Sequence, residues 1–186
     1  MHLRHYFYTY AQGRLNMLVS IATIVAAIYG AVSLNAWREQ MHVAADIETA
    51  RKLLTAVVRT YESLNAIRTP FFSEKDGDER TRMESRWQTV FQTMSELTAT
   101  SIEAEILWGE SARRILDDFY TIVWNYRIAL NAYWRYPEES RGQEPVYKTI
   151  YETSDDKYKA DLDKSFKSIK EYVAPRMHRQ KYKAVK

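Results

Sequence analysis

Cysteine is absent from the 186-residue chain. That excludes a disulfide scaffold and a cysteine zinc site, and leaves the compartment open. Glycine and proline are scarce, at 5 and 4. A chain so poor in turn-formers is built from few, long elements. No alternating strand pattern, low-complexity segment or sequence repeat competes with helix. Acid is missing from both ends: all 24 Asp and Glu lie between Arg38 and Val173, where 20 Lys and Arg leave a net charge of −4. The last thirteen residues, "APRMHRQKYKAVK", hold five Lys and Arg and no acid.

The chemistry-bearing motifs are missing too. The four histidines are His2, His5, His42 and His178, and none forms HExxH. Glu39 and His42 make one Glu-x-x-His, but a di-metal bundle needs that motif twice plus two further glutamates. Glu103, Glu105, Glu110, Asp117 and Asp118 are interleaved with Arg113 and Arg114, the pattern of a solvated helix face. There is no glycine-rich phosphate loop, nucleophile elbow or Ser/His/Asp arrangement. The sequence therefore reads as a protein with no enzymatic activity, no cofactor and no metal.

What is present begins with a charge-free run of 23 residues, Leu15 to Trp37, bracketed by Arg14 and Arg38. A helix rises ~1.5 Å per residue, so this run reaches roughly 34 Å, enough to cross a hydrocarbon core of about 30 Å. Aromatics that favour the headgroup zone mark its ends: Tyr6, Tyr8 and Tyr10 before it, Trp37 after it. Val25 and Ala27 would suit a signal-peptide cleavage site, but apolar sequence runs on for ten more residues, which favours a retained anchor. Ala22, Ala26 and Gly30 fall four apart, a spacing that lets a second membrane helix approach closely. Residues 1–14 read as an interfacial tail. Arg4 and Arg14 on one flank nearly balance Arg38, Arg51 and Lys52 on the other, so the positive-inside rule leaves orientation open.

Beyond the span the apolar residues take up a 3–4 rhythm, the period of a helix burying one seam. Val43, Ile47, Ala50, Leu54, Val57, Tyr61 and Leu64 form the first seam, widened by Leu53, Val58 and Ile67. Met83, Trp87, Val90, Met94, Leu97, Ser101, Ala104 and Trp108 form the second. Ala112, Ile115, Phe119, Ile122, Tyr126, Ala129 and Tyr133 form the third. A weaker fourth includes Val146, Ile150, Tyr158, Leu162, Phe166, Ile169 and Val173, with an interruption expected at Ser154-Asp155-Asp156. Pro70, Gly109, Pro137 and Pro175 punctuate these runs. The expected helices are 38–69, 78–108, 110–136 and 146–173, with a basic tail at 174–186.

The predicted fold is all-α: a single N-terminal transmembrane helix (15–37) continuing into an antiparallel, up-down-up-down four-helix bundle (38–173). No breaker stands between Ala31 and Thr69, so one helix is expected from about Leu15 to about Arg68, ~80 Å long. The up-down order would return the tail to the bilayer, where Arg176, Arg179, Lys181 and Lys183 would meet anionic headgroups. Phe71 and Phe72 at the far end read either as a cap on the core or as a docking knob. Trp124 and Trp134 lie just off the third seam and read as a candidate protein interface.

The stretch "LNAWREQMHVAADIETARKLLTAVVRTYESLNAIRTPFFS", with "EAEILWG" downstream, resembles a group of uncharacterised bacterial single-span proteins. Those proteins have a membrane helix, a Trp/Arg/Gln juncture, an "A-x-x-LL" helix, an "R-x-PF" end and an "EAE-x-x-WG" segment. The likeness covers roughly residues 20 to 135. It implies a bacterial inner membrane and a cytoplasmic domain, because members tend to be basic just after the span. This chain departs from that, with only Arg38 before Asp46 and Glu48. The resemblance carries no assigned activity.

The functional expectation is a membrane-anchored helical interaction protein: an accessory, scaffold or assembly subunit of a membrane complex. The alternative is a membrane-bound sensor or effector, in stress or antiviral defence, acting by self-association. The expected partners are membrane lipid and either another protein or further copies of the chain, with no nucleic acid.

Overall fold

The computed structural model describes residues 2–69, 78–137, 146–151 and 156–177, and for residues 2–16 and 18 the helical backbone alone. Among the described residues the chain is all-helical, with no strand. The helices are α1 (His2–Arg68), α2 (Glu79–Trp108), α3 (Glu110–Tyr133), α4 (Tyr147–Ile150) and α5 (Lys157–Met177). The chain divides into two compact units, Met1–Ala45 and Asp46–Lys186, and α1 contributes residues to both.

The first unit is helix alone. No proline occurs before Pro70, and Gly13 and Gly30 are single glycines that a long helix tolerates. Helix is unbroken through Asn35–His42, as the absence of breakers predicts. The helix expected to begin at about Leu15 begins at His2 and takes in residues 2–14, since nothing among them stops it. Within the apolar stretch, the Thr23 hydroxyl donates to the Val19 carbonyl at 2.9 Å. Its one strong donor is thus satisfied inside its own helix.

The second unit holds the core. α1 contributes Ala50, Leu53, Val57, Leu64 and Ile67. α2 contributes Met83, Trp87, Val90, Met94, Leu97 and Ala104, which is the expected seam, with Ser101 and Trp108 half-buried at its edge. α3 buries Ala112, Phe119, Tyr126 and Tyr133 of the expected seam and departs from it by one position at the other three. Leu116, Val123 and Leu130 are buried, whereas Ile115, Ile122 and Ala129 are half-buried. The reason is that α3 packs on both α2 and α5. Its apolar stripe is wide, and its centre lies between the two registers.

Helix ends have local causes. The Asp78 carboxylate accepts from the Thr81 backbone N–H and opens α2. Gly109 separates α2 from α3 at φ 75° and ψ −171°, and its N–H closes on the Glu105 carbonyl at 2.8 Å. That backbone region is open almost only to glycine. The fourth run, read over 146–173 with an interruption at Ser154-Asp155-Asp156, is two helices, α4 and α5. Asp156 caps α5 by accepting from the Lys159 N–H at 2.8 Å, and a capping aspartate stands outside the helix it starts. Pro175 was expected to end the helix at Ala174, but α5 runs on to Met177. Proline has no N–H to give the carbonyl one turn back, so the helix passes Pro175 without that one backbone bond. Arg176 also binds back to the Tyr172 carbonyl at 2.6 Å. The third helix ends at Tyr133, three residues before the expected limit.

Side-chain contacts within the second unit register its helices. Between α1 and α2, Arg59 pairs with Glu96 at 3.0 Å, and Trp108 donates to Asp46 at 3.1 Å. Between α2 and α3, Arg127 pairs with Glu84 at 2.8 Å, and Tyr120 donates to Ser101 at 3.3 Å. Between α1 and α5, Tyr61 donates to Asp163 at 2.6 Å, and Lys159 to Asn65 at 3.1 Å. Between α3 and α5, Tyr158 donates to the Ile122 carbonyl at 3.1 Å, and the Ser111 and Tyr172 hydroxyls meet at 2.8 Å.

Candidate functional site

Three features stand out from ordinary helix packing. The first is the apolar part of α1. It is the one helix among the described residues long and apolar enough to cross a membrane, and none of its apolar window is buried. Ala22, Ala26 and Gly30 are all exposed, and a Cβ added at Gly30 would meet nothing within 4 Å. That face is open to a close neighbour, although small residues are common in apolar helices for other reasons. Trp37 and Arg38 are exposed at the end of the stretch. Tyr6, Tyr8, Tyr10 and Arg14 lie on the helical backbone, and their side chains are outside the described residues.

The second feature is an apolar face on α2 and α3. Phe91 is 49% exposed, Trp124 47% and Ile128 64%. Phe91 lies one turn from buried Trp87, and the Trp87 ring meets Trp124 at 6.5 Å between centroids. The exposed Trp124 ring is therefore backed by a buried one. Ile102 and Ile106 are exposed further along α2. Trp124 was expected as an interface residue from its off-seam position. Phe91, Ile102, Ile106 and Ile128 were missed, although the same signal, an apolar residue outside the 3–4 rhythm, was available for each. Trp134 is half-buried and packs edge-on against Tyr133 at 4.9 Å. Phe71, Phe72, Arg179, Lys181 and Lys183 lie outside the described residues.

The third feature is a buried polar cluster where α1, α4 and α5 meet. The Arg68 guanidinium is 2% exposed and donates to both Asp156 carboxylate oxygens, at 2.9 and 2.7 Å. It also donates to the carbonyls of Thr149 and Tyr151, both at 3.2 Å, and stacks over the Tyr158 ring at 4.7 Å. Burial pushes the hydroxyls of Tyr126, Tyr151 and Tyr158 above the ordinary tyrosine range. Tyr151 is raised further by its hydrogen bond to Glu79. Burial pulls the Lys159 ammonium down, but its bonds to Tyr61 and Asp163 outweigh that, and the net shift is upward. Every one of these shifts holds the group in its protonated form. A proton-transfer site requires the opposite, a group poised near neutrality. The cluster reads as a structural clamp.

The groove of about 480 Å³ between α1 and α2 contains Lys52 and Arg59, which pair with Glu103 and Glu96. Along α3 and α5, Ser165 is buried with no hydrogen-bond partner among the described residues. No group of three or more His, Cys, Asp or Glu among the described residues lies together as metal ligands. Arg176, expected to face anionic headgroups, is placed by α5 over the Trp108 ring at 4.6 Å and the Tyr172 ring at 4.1 Å.

The chain matches no protein-family model, no curated protein and no solved structure.

Proposed function

We propose that this chain is a membrane-anchored helical interaction protein, an accessory, scaffold or assembly subunit of a membrane complex. The observation that carries the reading is the exposed apolar length of α1. Exposed apolar surface on this scale has a large free-energy cost in water, at roughly 25 cal/mol per Å². A bilayer removes that cost, and lipid is then the first partner. The second partner is protein. Phe91, Trp124 and Ile128 provide the aromatic and aliphatic anchors that dominate protein interfaces.

In this reading the second unit is an up-down-up-down four-helix bundle. The register of its contacts supports that order. The Ala66 carbonyl at the end of α1 accepts from Arg86 early in α2, Arg59 pairs with Glu96 further along, and Asp46, where the second unit's part of α1 begins, accepts from Trp108 at the end of α2. Glu84–Arg127 and Ser101–Tyr120 do the same for α2 and α3. The anchor would lie in a bacterial inner membrane with the bundle in the cytoplasm, as the resemblance implies. Cations of the C-terminal tail would add about 1 kcal/mol each at an anionic surface.

The test is extraction of the full-length chain from membranes in mild detergent, followed by isolation with whatever it holds. The expected product is a stoichiometric assembly, with itself or with another polypeptide, that a Trp124→Glu substitution dissociates. A chain recovered free of any protein partner would overturn the interaction reading.

A further inference from the structure

We infer that the groove between α3 and α5 binds a small zwitterion, with an ammonium at one end and a carboxylate or phosphate at the other, whether or not the chain also holds a protein partner.

The site has a buried hydroxyl that the chain itself leaves unpaired. Ser165 lines a groove of about 320 Å³ and is 7% exposed, and its hydroxyl has no hydrogen-bond partner among the described residues. Other helical hydroxyls are satisfied on the carbonyl one turn back. Buried Thr60 donates to Ala56 at 3.0 Å, and Ser168, in the same groove, donates to Lys164 at 3.1 Å. A buried polar group without a partner carries a desolvation cost, and a ligand group in the groove would offset it.

The charges along the groove do not bridge it. Arg114 and Asp118 line its α3 side, and Asp161 and Lys164 its α5 side. Arg114 pairs along its own helix with Glu110 at 2.9 Å, an exposed pair of the weak kind that a ligand anion can replace. Asp118, Asp161 and Lys164 have no ion-pair partner among the described residues. Elsewhere charges do cross between helices, as in Arg59–Glu96 and Arg127–Glu84.

The order of these charges points to the ligand. Ser111 meets Tyr172, and further along α3 the Ile122 carbonyl accepts from Tyr158, so α3 and α5 run in opposite directions. The cation precedes the carboxylate along α3 and follows it along α5. Opposed helices therefore set both cations toward the Ser111–Tyr172 end and both carboxylates toward the Ile122–Tyr158 end. The offset is roughly 6 Å along α3 and 4.5 Å along α5. A ligand with opposite charges about 5 Å apart matches both walls at once, whereas a singly charged one uses a single end. Ile115 and Ile122, half-buried on the α3 side, would cover the methylenes between the charges.

The test is calorimetric titration of the full chain in mild detergent with γ-aminobutyrate and with O-phosphoethanolamine, beside butylamine and butyrate, which keep one charge each. The expected result is saturable, one-to-one binding of at least one zwitterion at roughly 1 mM or tighter, with the singly charged probes about tenfold weaker. Binding of either zwitterion supports the inference, and the tighter of the two says whether the anionic end takes a carboxylate or the phosphate of a headgroup. Asp161→Asn, Lys164→Gln and Ser165→Ala should each weaken binding about tenfold. Lys167→Gln, outside the groove, should leave it unchanged. Ser165→Ala removes an unpaired hydroxyl and should melt no lower than wild type, which separates a lost ligand contact from a lost fold. No saturable binding of either zwitterion overturns the inference, and is the result if water alone serves Ser165. Binding that the singly charged probes match, or that survives both Ser165→Ala and Asp161→Asn, also overturns it.

Discussion

Arg68 and Asp156 are 88 residues apart in sequence and form a buried, two-pronged ion pair, 2% and 9% exposed, at 2.9 and 2.7 Å. Arg68 is the last residue of α1, and Asp156 caps α5. One contact therefore ties the end of the first helix to the start of the last, and the Thr149 and Tyr151 carbonyls bring α4 into the same clamp. Removing one partner of a buried pair leaves the other charge uncompensated, at a cost of about 3–5 kcal/mol. Asp156→Ala should lose that much in denaturant unfolding of the detergent-solubilised chain, and should also lose the α5 cap. A loss under ~1 kcal/mol would mean that the carbonyls alone satisfy the guanidinium.

Gly109 makes a different kind of prediction. Its φ of 75° is the one positive value among the described residues, and a Cβ there would meet nothing within 4 Å. The cost of replacing it is therefore in the backbone and not in crowding. Gly109→Ala and Gly109→Leu should destabilise by similar amounts, about 1–3 kcal/mol. A leucine much worse than alanine in thermal melts would show that the site is crowded after all.

The buried hydroxyls set the alkaline limit. Tyr126 and Tyr158 have folded pKa values raised above the ordinary 10.0 by burial, and Lys159 is raised above 10.5 by its hydrogen bonds. A raised folded pKa means that the unfolded chain releases its proton first. The stabilisation is complete below the ordinary value and is lost as pH rises through the folded one. The melting temperature should hold steady up to about pH 10 and then fall, with a shallower fall in Tyr126→Phe. In a phenolate absorbance titration the buried tyrosines should ionise together with unfolding. A smooth single titration of all fourteen tyrosines in a chain that stays folded would contradict this.

Legibility in the sequence followed the range of the interactions. The α2 seam, from Met83 to Ala104, could be read because its 3–4 spacing is set within one helix, and Gly109 could be read as a break because its conformation is local. The α3 seam was read correctly at Ala112, Phe119, Tyr126 and Tyr133 and off by one at the other three, because Ile115/Ile122/Ala129 and Leu116/Val123/Leu130 are both apolar, and only packing on α2 and α5 selects between them. The break before α5 could be read locally, because Asp156 is a cap-forming residue, but its pairing with Arg68, 88 residues away, could not. Nothing near either residue signals that pairing. The apolar face was half legible: Trp124 was picked out by its off-seam position, whereas Phe91 and Ile128, equally outside the 3–4 rhythm, were passed over.

The central claim is that α1 spans a bilayer. Its most direct test is alkaline-carbonate fractionation of membranes carrying the full-length chain, beside a variant with Val25→Arg and Ala26→Arg. Each arginine at a span centre costs about 2.5–3.5 kcal/mol of insertion. The prediction is that the wild-type chain stays with the membrane pellet and the double-arginine variant shifts to the soluble or aggregated fraction. Wild-type chain released by carbonate would contradict the account.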